Sequence, residues 1–339
     1  MSIDKKLLKK ESLDQLFSKL KSSGRRILAP VKRGEQVFFE EVNTPGEMAG
    51  DYIQTTFSAK GAVFPRCEEL FSYRFEGREL KLEDRKAEPK ATVIFGLRPC
   101  DAASFAVLNS VFSWDYQDEL FKSRLEKTAV IGLSCKKADE YCFCTSVGGG
   151  PGETRGSDIL LTELSSGDFL AEIVTDKGRE LAALAPELFG PAPAEDKAKN
   201  LAVLPRQFEA GELAAKLSKL FDRNELWVEQ SLRCLGCGAC AFVCPTCVCF
   251  DIQDEAGRQQ GTRLRCWDSC GFSLFTLHTS GHNPRSVQSQ RWRQRLMHKF
   301  SYMPERQQLI GCVGCGRCSR LCPADMNLVE HLKEIMEAK

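Results

Sequence analysis

The sequence predicts an α/β N-terminal domain with a parallel βαβ unit, followed by a mainly α-helical domain that is rich in cysteine. Two observations support this division. From residue 91 onward, short apolar segments of strand length alternate with segments of helical periodicity. Of the 17 cysteines, 12 lie between Cys234 and Cys322. The chain of 339 residues is long enough for two domains, each with its own core.

The first elements of the chain are a helix and a hairpin. Apolar residues at helical spacing predict an amphipathic helix over residues 7–20, with Ser12 as its cap. The segments 27–31 and 37–42 are apolar and flank a polar turn, which is typical of a β-hairpin.

The βαβ unit follows. Residues 91–97 and 128–134 predict buried strands, and a helix from Asp101 to Phe112 lies between them, which is the order of a parallel pair with a crossover. Further elements are predicted as strands over 158–164 and 168–175 and a helix after Asp176.

A stretch rich in proline and alanine, residues 190–200, predicts a linker. We therefore expect an α/β domain over residues 1–190, a linker with helices over 190–230, and a cysteine-rich domain over 231–339.

Composition narrows the class of protein. The formal net charge of +1 argues against a broad surface for nucleic acid or membrane. The N-terminus lacks the apolar run of a signal peptide, and no stretch has the apolar length of a membrane span, so we expect a cytoplasmic protein. In a reducing compartment, dense and regularly spaced cysteines indicate metal ligands more often than disulfides. With only four histidines in the chain, the ligands should be mostly sulfur.

Two runs of cysteines share the spacing C-x2-C-x2-C-x3-C-P. This spacing is typical of ferredoxins with two [4Fe–4S] clusters, in which the fourth cysteine of each run binds the other cluster. The predicted ligand sets are Cys234, Cys237, Cys240 with Cys322, and Cys312, Cys315, Cys318 with Cys244. Zinc sites usually have two separated C-x2-C pairs, so the duplicated motif favours two [4Fe–4S] clusters over zinc or disulfides. The second domain is therefore predicted to be ferredoxin-like.

The two runs lie 68 residues apart (Cys244 to Cys312), and this insertion carries four more cysteines. These are Cys247, Cys249, Cys266 and Cys270. They are interpreted either as ligands of a further metal centre, an interpretation that favours Cys247, Cys249 and Cys270, or as buried thiols without a redox role. Cys67 stands alone and is interpreted as structural or incidental.

A basic segment, residues 285–299, lies at the end of the insertion. Its arginines would stabilise an anionic cluster and raise its potential. A solvated helix face and a docking surface are the alternatives, and a nucleic-acid patch is disfavoured by the balanced charge of the chain.

Four N-terminal cysteines are predicted to meet at one edge of the sheet. Cys100 follows the first strand of the βαβ unit, Cys135 follows the second, and Cys142 and Cys144 come shortly afterwards. Parallel strands share one carboxyl edge, where open α/β sheets place their ligands. The four thiols are therefore interpreted as ligands of another [4Fe–4S] cluster, with buried and inert thiols as the alternative.

In these motifs the chain resembles the iron–sulfur β subunits of soluble hydrogenases and sulfhydrogenases, and the A subunit of anaerobic sulfite reductase. The segments that carry the resemblance run in order from about residue 94 to 323: GLRPCDAASF, CFCTSVGGGPG, CPTCVCFD, WDSCGFSLF, GHNPRSVQSQRWRQRLMHKFSY and CVGCGRCSRLCP. The resemblance implies a subunit that passes electrons between a flavin-containing, diaphorase-type partner and a catalytic subunit. It also implies that the eight ferredoxin-type cysteines are cluster ligands.

These observations predict an electron-transfer subunit of a cytoplasmic, anaerobic oxidoreductase complex, such as a hydrogenase or a sulfite reductase. No catalytic constellation is found. No GxGxxG fingerprint is present, so the flavin is expected on a partner chain. The basic segment and the helix over residues 7–20 are the candidate contact surfaces. The alternatives are a self-contained iron–sulfur flavoprotein reductase and a zinc-stabilised binding module.

Overall fold

The structure, a computed structural model, describes residues 3–84 and 88–338. Its strands are β1 Asp4–Leu8, β2 Arg26–Arg33, β3 Gln36–Val42, β4 Cys67–Glu76, β5 Glu79–Asp84, β6 Thr92–Leu97, β7 Thr128–Leu133, β8 Ile159–Glu163, β9 Phe169–Ile173, β10 Phe189–Gly190, β11 Phe250–Ala256 and β12 Gln260–Trp267. Its α-helices are α1 Leu13–Ser22, α2 Pro99–Phe112, α3 Glu119–Glu126, α4 Asp176–Ala183, α5 Ala210–Leu220, α6 Asn224–Ser231, α7 Ala239–Phe242, α8 Gln288–Met297, α9 Met303–Gln307, α10 Arg317–Arg320 and α11 Leu328–Glu337. A π-helical turn, His298–Tyr302, joins α8 to α9.

The main sheet is mixed and has the strand order β10-β1-β9-β8-β7-β6-β2-β3. Strands β6 and β7 pair in parallel, and α2 and α3 lie between them in the chain, which confirms the predicted βαβ unit. Every residue of β6 is buried, because separate hydrophobic clusters pack on the two faces of the sheet. The predicted hairpin of β2 and β3 and the predicted strands β8 and β9 are also present.

The helix predicted over residues 7–20 is wrong in its first part. Residues 4–8 form β1, which pairs antiparallel with β9, and Leu8 is fully buried there. Pairing with a strand more than 150 residues away provides hydrogen-bond partners for the backbone of residues 4–8. This pairing outweighs the helical spacing of the local sequence. Helix α1 begins at Leu13, and Ser12 takes the N-cap position without a capping side-chain hydrogen bond. The apolar stripe of α1 packs into the core, so this face of the helix is not a contact surface.

A second sheet joins distant parts of the chain. Its order is β11-β12-β4-β5, so the hairpin of the insertion pairs with a hairpin from the N-terminal region through β12 and β4. The segment after residue 231 therefore contributes two strands in addition to α7–α11.

The cysteine-rich region shares a core with the N-terminal region. Helices α5, α8 and α11 pack around Trp227 and Trp292, and Phe143 from the N-terminal region belongs to the same buried cluster. Across the described ranges 3–84 and 88–338, no helix is both long and apolar enough to cross a membrane.

Candidate metal centres

The first predicted ligand set lines one cavity. Cys234, Cys237 and Cys240 come from the loop before α7 and from its first turn, and Cys322 comes from the loop after α10. The cysteine from the second run thus reaches the cavity of the first run, as the crossed arrangement requires. Cys237 is exposed at the mouth of this cavity.

The second predicted set lines a neighbouring cavity. Its members are Cys244, Cys312, Cys315 and Cys318. Cys318 borders both cavities, so the two sites share a wall. The second cavity is lined by these four cysteines, the first by its predicted set together with Cys270 and Cys318, and neither has a carboxylate among its lining residues. This donor set suits a [4Fe–4S] cluster, which is bound by four thiolates. The individual ligand roles stay a prediction.

The two cysteine runs have the same local conformation. Gly238 and Gly316 each stand at the N-cap of the short helix that follows, with φ of 73° and ψ of −7° in both cases. A side chain at Gly316 would be strained by this left-handed backbone, and its Cβ would lie 2.5 Å from the carbonyl oxygen of Tyr141. Glycine therefore lets the second run pack closely against the loop that carries Cys142 and Cys144.

Buried cations surround the cavities. Arg295 borders both cavities and Lys299 borders the second. Lys299 Nζ lies 3.5 Å from Cys244 Sγ. The neighbouring thiol of Cys247 lowers the pKa of Cys244 well below its usual range, and Lys299 acts in the same direction. The thiolate, which is the form that binds metal, is therefore favoured at this position.

Comparison with known proteins agrees with this geometry. Residues 233–326, which contain both cysteine runs and the insertion, match the 4Fe-4S dicluster domain family. The β subunit of sulfhydrogenase 2 from Pyrococcus furiosus is 31% identical over 338 residues, which cover 97% of this chain and 98% of that subunit. The chain belongs to the sulfhydrogenase β-subunit family. It is therefore an iron–sulfur protein with a 4Fe-4S dicluster domain, and the resemblance noted from its motifs is confirmed.

The four N-terminal cysteines of this β-type subunit lie at the predicted sheet edge. Cys100 is in the first turn of α2, directly after β6, and its thiol accepts a hydrogen bond of 3.0 Å from Gln54 Nε2. Burial raises the pKa of Cys100, and Asp101 and the thiols of Cys315, Cys135 and Cys144 act in the same direction. The thiols of Cys135 and Cys142 likewise act on Cys144. Burial raises the pKa of Cys144 to about 12 and that of Cys142 to about 11.

Whether this N-terminal group binds metal stays a prediction. Among the described residues, no three side chains of His, Cys, Asp or Glu converge as they would around a single metal ion. A cubane is bound through four separate irons, so its thiols stand farther apart than those around one ion.

The cysteines of the insertion do not gather into one four-thiol site. Cys266 lies opposite Cys67 in the pairing of β12 with β4, and the two form a disulfide. The interpretation of Cys67 as a lone cysteine is therefore wrong, because its partner lies 199 residues away in sequence. The Cys249 thiol contacts Cys270, and the Cys247 thiol contacts Cys244. Hydrogen bonding by Cys270 lowers the pKa of Cys249 to about 6.

The basic segment 285–299 is buried in part. Arg291, Arg295 and Lys299 are all buried, and so is Trp292 between them. Arg291 donates to the backbone carbonyls of Arg285 and Ser286 and thereby holds the loop before α8 in place. A solvated helix face is therefore the wrong interpretation for these three cations, whereas a partner contact through the exposed part of the segment, such as Val287, stays a prediction.

Proposed function

We propose that this chain is the electron-transfer subunit of a hydrogenase-type complex and that its two crossed cysteine sets hold two [4Fe–4S] clusters. The observation that carries the proposal is the shared wall between two cysteine-lined cavities, each of which contains one complete predicted set, and to this wall Cys318 and Arg295 both belong. A cluster bound in each cavity would accept and release one electron. The residues of the chain place the two sites side by side and bury the second one.

Exposure differs between the two sites, and this difference suggests a direction of transfer. Cys237 of the first set is exposed, whereas Cys244 and Cys315 of the second set are buried. Leu235, 71% exposed, lines the first cavity, and Leu232, 75% exposed, precedes the same run. Apolar side chains beside an exposed cofactor are typical of a contact with a protein partner. We propose that a redox partner subunit binds this face, which we call the Cys237 face.

The Cys237 face is testable by substitution. Leu235→Asp should weaken binding of the partner subunit, because a carboxylate would have to be desolvated at the interface. The expected result in a pull-down from native extract is a reduced yield of the partner, with the iron content of the chain unchanged. Leu82→Asp is the matched control, since Leu82 is 59% exposed on β5 in the other sheet. Equal loss of the partner in both variants, or in neither, would contradict the assignment of this face.

The partner itself is proposed to carry the flavin. Conversion of a hydride into single electrons usually requires a flavin, and the sequence has no dinucleotide fingerprint to hold its own. Purification of the native complex should therefore recover a flavoprotein in stoichiometric amount. If the chain alone retained flavin and full NAD(P)H-dependent reductase activity, it would be a self-contained reductase.

We further propose a third [4Fe–4S] cluster bound by Cys100, Cys135, Cys142 and Cys144. The electrostatic interactions among these thiols and their position at the carboxyl edge of the sheet support it. Cys142→Ala in the full-length chain should lower the iron content by about four per chain, because a cubane held by three thiolates is labile. Cys67→Ala, which removes a disulfide-bonded cysteine of the second sheet, serves as the control. Iron content equal to that of the wild type in Cys142→Ala would exclude this cluster.

A further inference from the structure

Several buried cations lie beside the cysteine-lined cavities without a carboxylate to balance them. Lys60, Arg295 and Lys299 are only 2%, 5% and 5% exposed. Among the residues that the structure describes, none of the three has an aspartate or glutamate within ion-pair distance. Arg265 and Arg317, which are also buried, have such partners. Arg98 and Arg291 are buried and donate to uncharged oxygens, as Arg295 and Lys299 do, and Arg291 borders the first cavity.

Their contacts are neutral oxygens and sulfur atoms. Lys299 Nζ donates to Thr246 Oγ1 at 2.9 Å and to the carbonyl of Gly311 at 2.7 Å. Arg295 Nη2 donates to the carbonyl of Cys240 at 3.1 Å, and its Nη1 lies 3.7 Å from Cys247 Sγ. These hydrogen bonds orient the cations, but they supply no negative charge.

An unbalanced charge in a protein interior is costly, so an anion is required near these groups. Lys299 Nζ lies 3.5 Å from Cys244 Sγ, and Arg295 Nη1 lies 3.7 Å from Cys247 Sγ, so both cations face thiols. Four thiolates around a cubane leave a net negative charge, which becomes larger when the cubane is reduced. The anions that balance these buried cations are therefore expected in the thiol-lined cavities.

We infer that Arg295 and Lys299 are the fixed counter-charges of the two clusters and set their reduction potentials. This inference rests on the proposed function, because it requires clusters in both cavities. A nearby cation stabilises the reduced, more negative form more than the oxidised form, so it raises the potential. Arg295 borders both cavities and acts on both potentials, whereas Lys299 borders only the second and acts mainly there.

The test is an EPR-monitored redox titration of the full-length chain, together with an iron count. Arg295→Gln should make both potentials more negative by about 59 mV or more, which is a tenfold shift of a one-electron equilibrium. Lys299→Gln should produce a shift of this size only for the cluster of the second cavity. Arg295→Lys and Lys299→Arg keep the charge and should stay close to the wild-type potentials. The signals are assigned with Cys244→Ala and Cys322→Ala, each of which retains one cluster.

Arg293→Gln is the matched control, because Arg293 lies on the same helix but donates to the carbonyl of Phe221 and borders neither cavity. Unchanged potentials in both glutamine variants with full iron content would overturn the inference. If the glutamine variants lose iron, Arg295→Lys and Lys299→Arg distinguish an effect of charge from one of shape. Iron loss in the glutamine variants alone supports a requirement for positive charge. Equal loss in the charge-conserving variants would show that shape matters and would overturn the inference. A wild-type chain without iron would instead refute the proposed function itself.

Discussion

Cys244→Ala should remove the cluster of the second cavity and leave the cluster of the first cavity in place. Cys244 belongs by sequence to the first run, yet its thiol lines the cavity formed by Cys312, Cys315 and Cys318. A cubane with one of its four thiolates missing is expected to be lost or converted, so the iron content should fall by about four per chain. The EPR signal of the remaining reduced cluster should persist.

Cys322→Ala is the reciprocal substitution, in the other predicted ligand set. Its thiol lines the first cavity, so the opposite EPR signal should disappear. The two variants together separate the crossed arrangement from an uncrossed one. In an uncrossed arrangement, Cys244→Ala would abolish only the cluster of Cys234, Cys237 and Cys240.

Arg317→Leu should strongly destabilise the protein. Arg317 lies on α10 within the second cysteine run, it is fully buried, and it donates to both carboxylate oxygens of Asp101 on α2. It also donates to the carbonyl of Thr55 at 2.7 Å. Its loss would leave Asp101 as an unpaired buried carboxylate, which costs about 3–5 kcal/mol of the free energy of unfolding.

The loss of stability is measured by urea unfolding followed by tryptophan fluorescence. Arg317→Lys keeps the charge but loses the paired hydrogen bonds, so its effect should be smaller than that of Arg317→Leu. Arg263→Leu is the control for a surface pair, because Arg263 and Asp254 face solvent on β12 and β11. A loss in Arg317→Leu no larger than in Arg263→Leu would show that the buried pair does not join the two regions.

Much of the main sheet and both cysteine runs follow from local patterns. The spacing of the two runs predicted the ligand type, and β6, α2 and β7 were recognised from apolar segments of the right length. These features depend on residues a few positions apart, so their physical cause is contained in the local sequence. The basic residues of α8 were also recognised as a basic segment, but the sequence did not show that they are buried.

Burial explains why the basic segment was misread in part. Arginine and lysine are rarely buried, so a run of them indicates an exposed face unless an anion is present inside the protein. Only the packing of α8 against both cysteine runs places Arg295 and Lys299 in the interior. The presence of two anionic centres could have provided a signal, since buried clusters require nearby positive charge.

The sequence by itself determined the ligand type, which is cysteine in two runs with the spacing of iron–sulfur proteins. It also determined the parallel βαβ unit. The tertiary structure decided which distant residues meet. It made residues 4–8 a strand beside β9, placed Cys67 opposite Cys266, and joined Arg317 to Asp101 across the two regions. The physical reason is that ligand spacing and strand length are encoded over a few residues. Backbone pairing and charge burial, in contrast, depend on partners that lie more than 150 residues away in the chain.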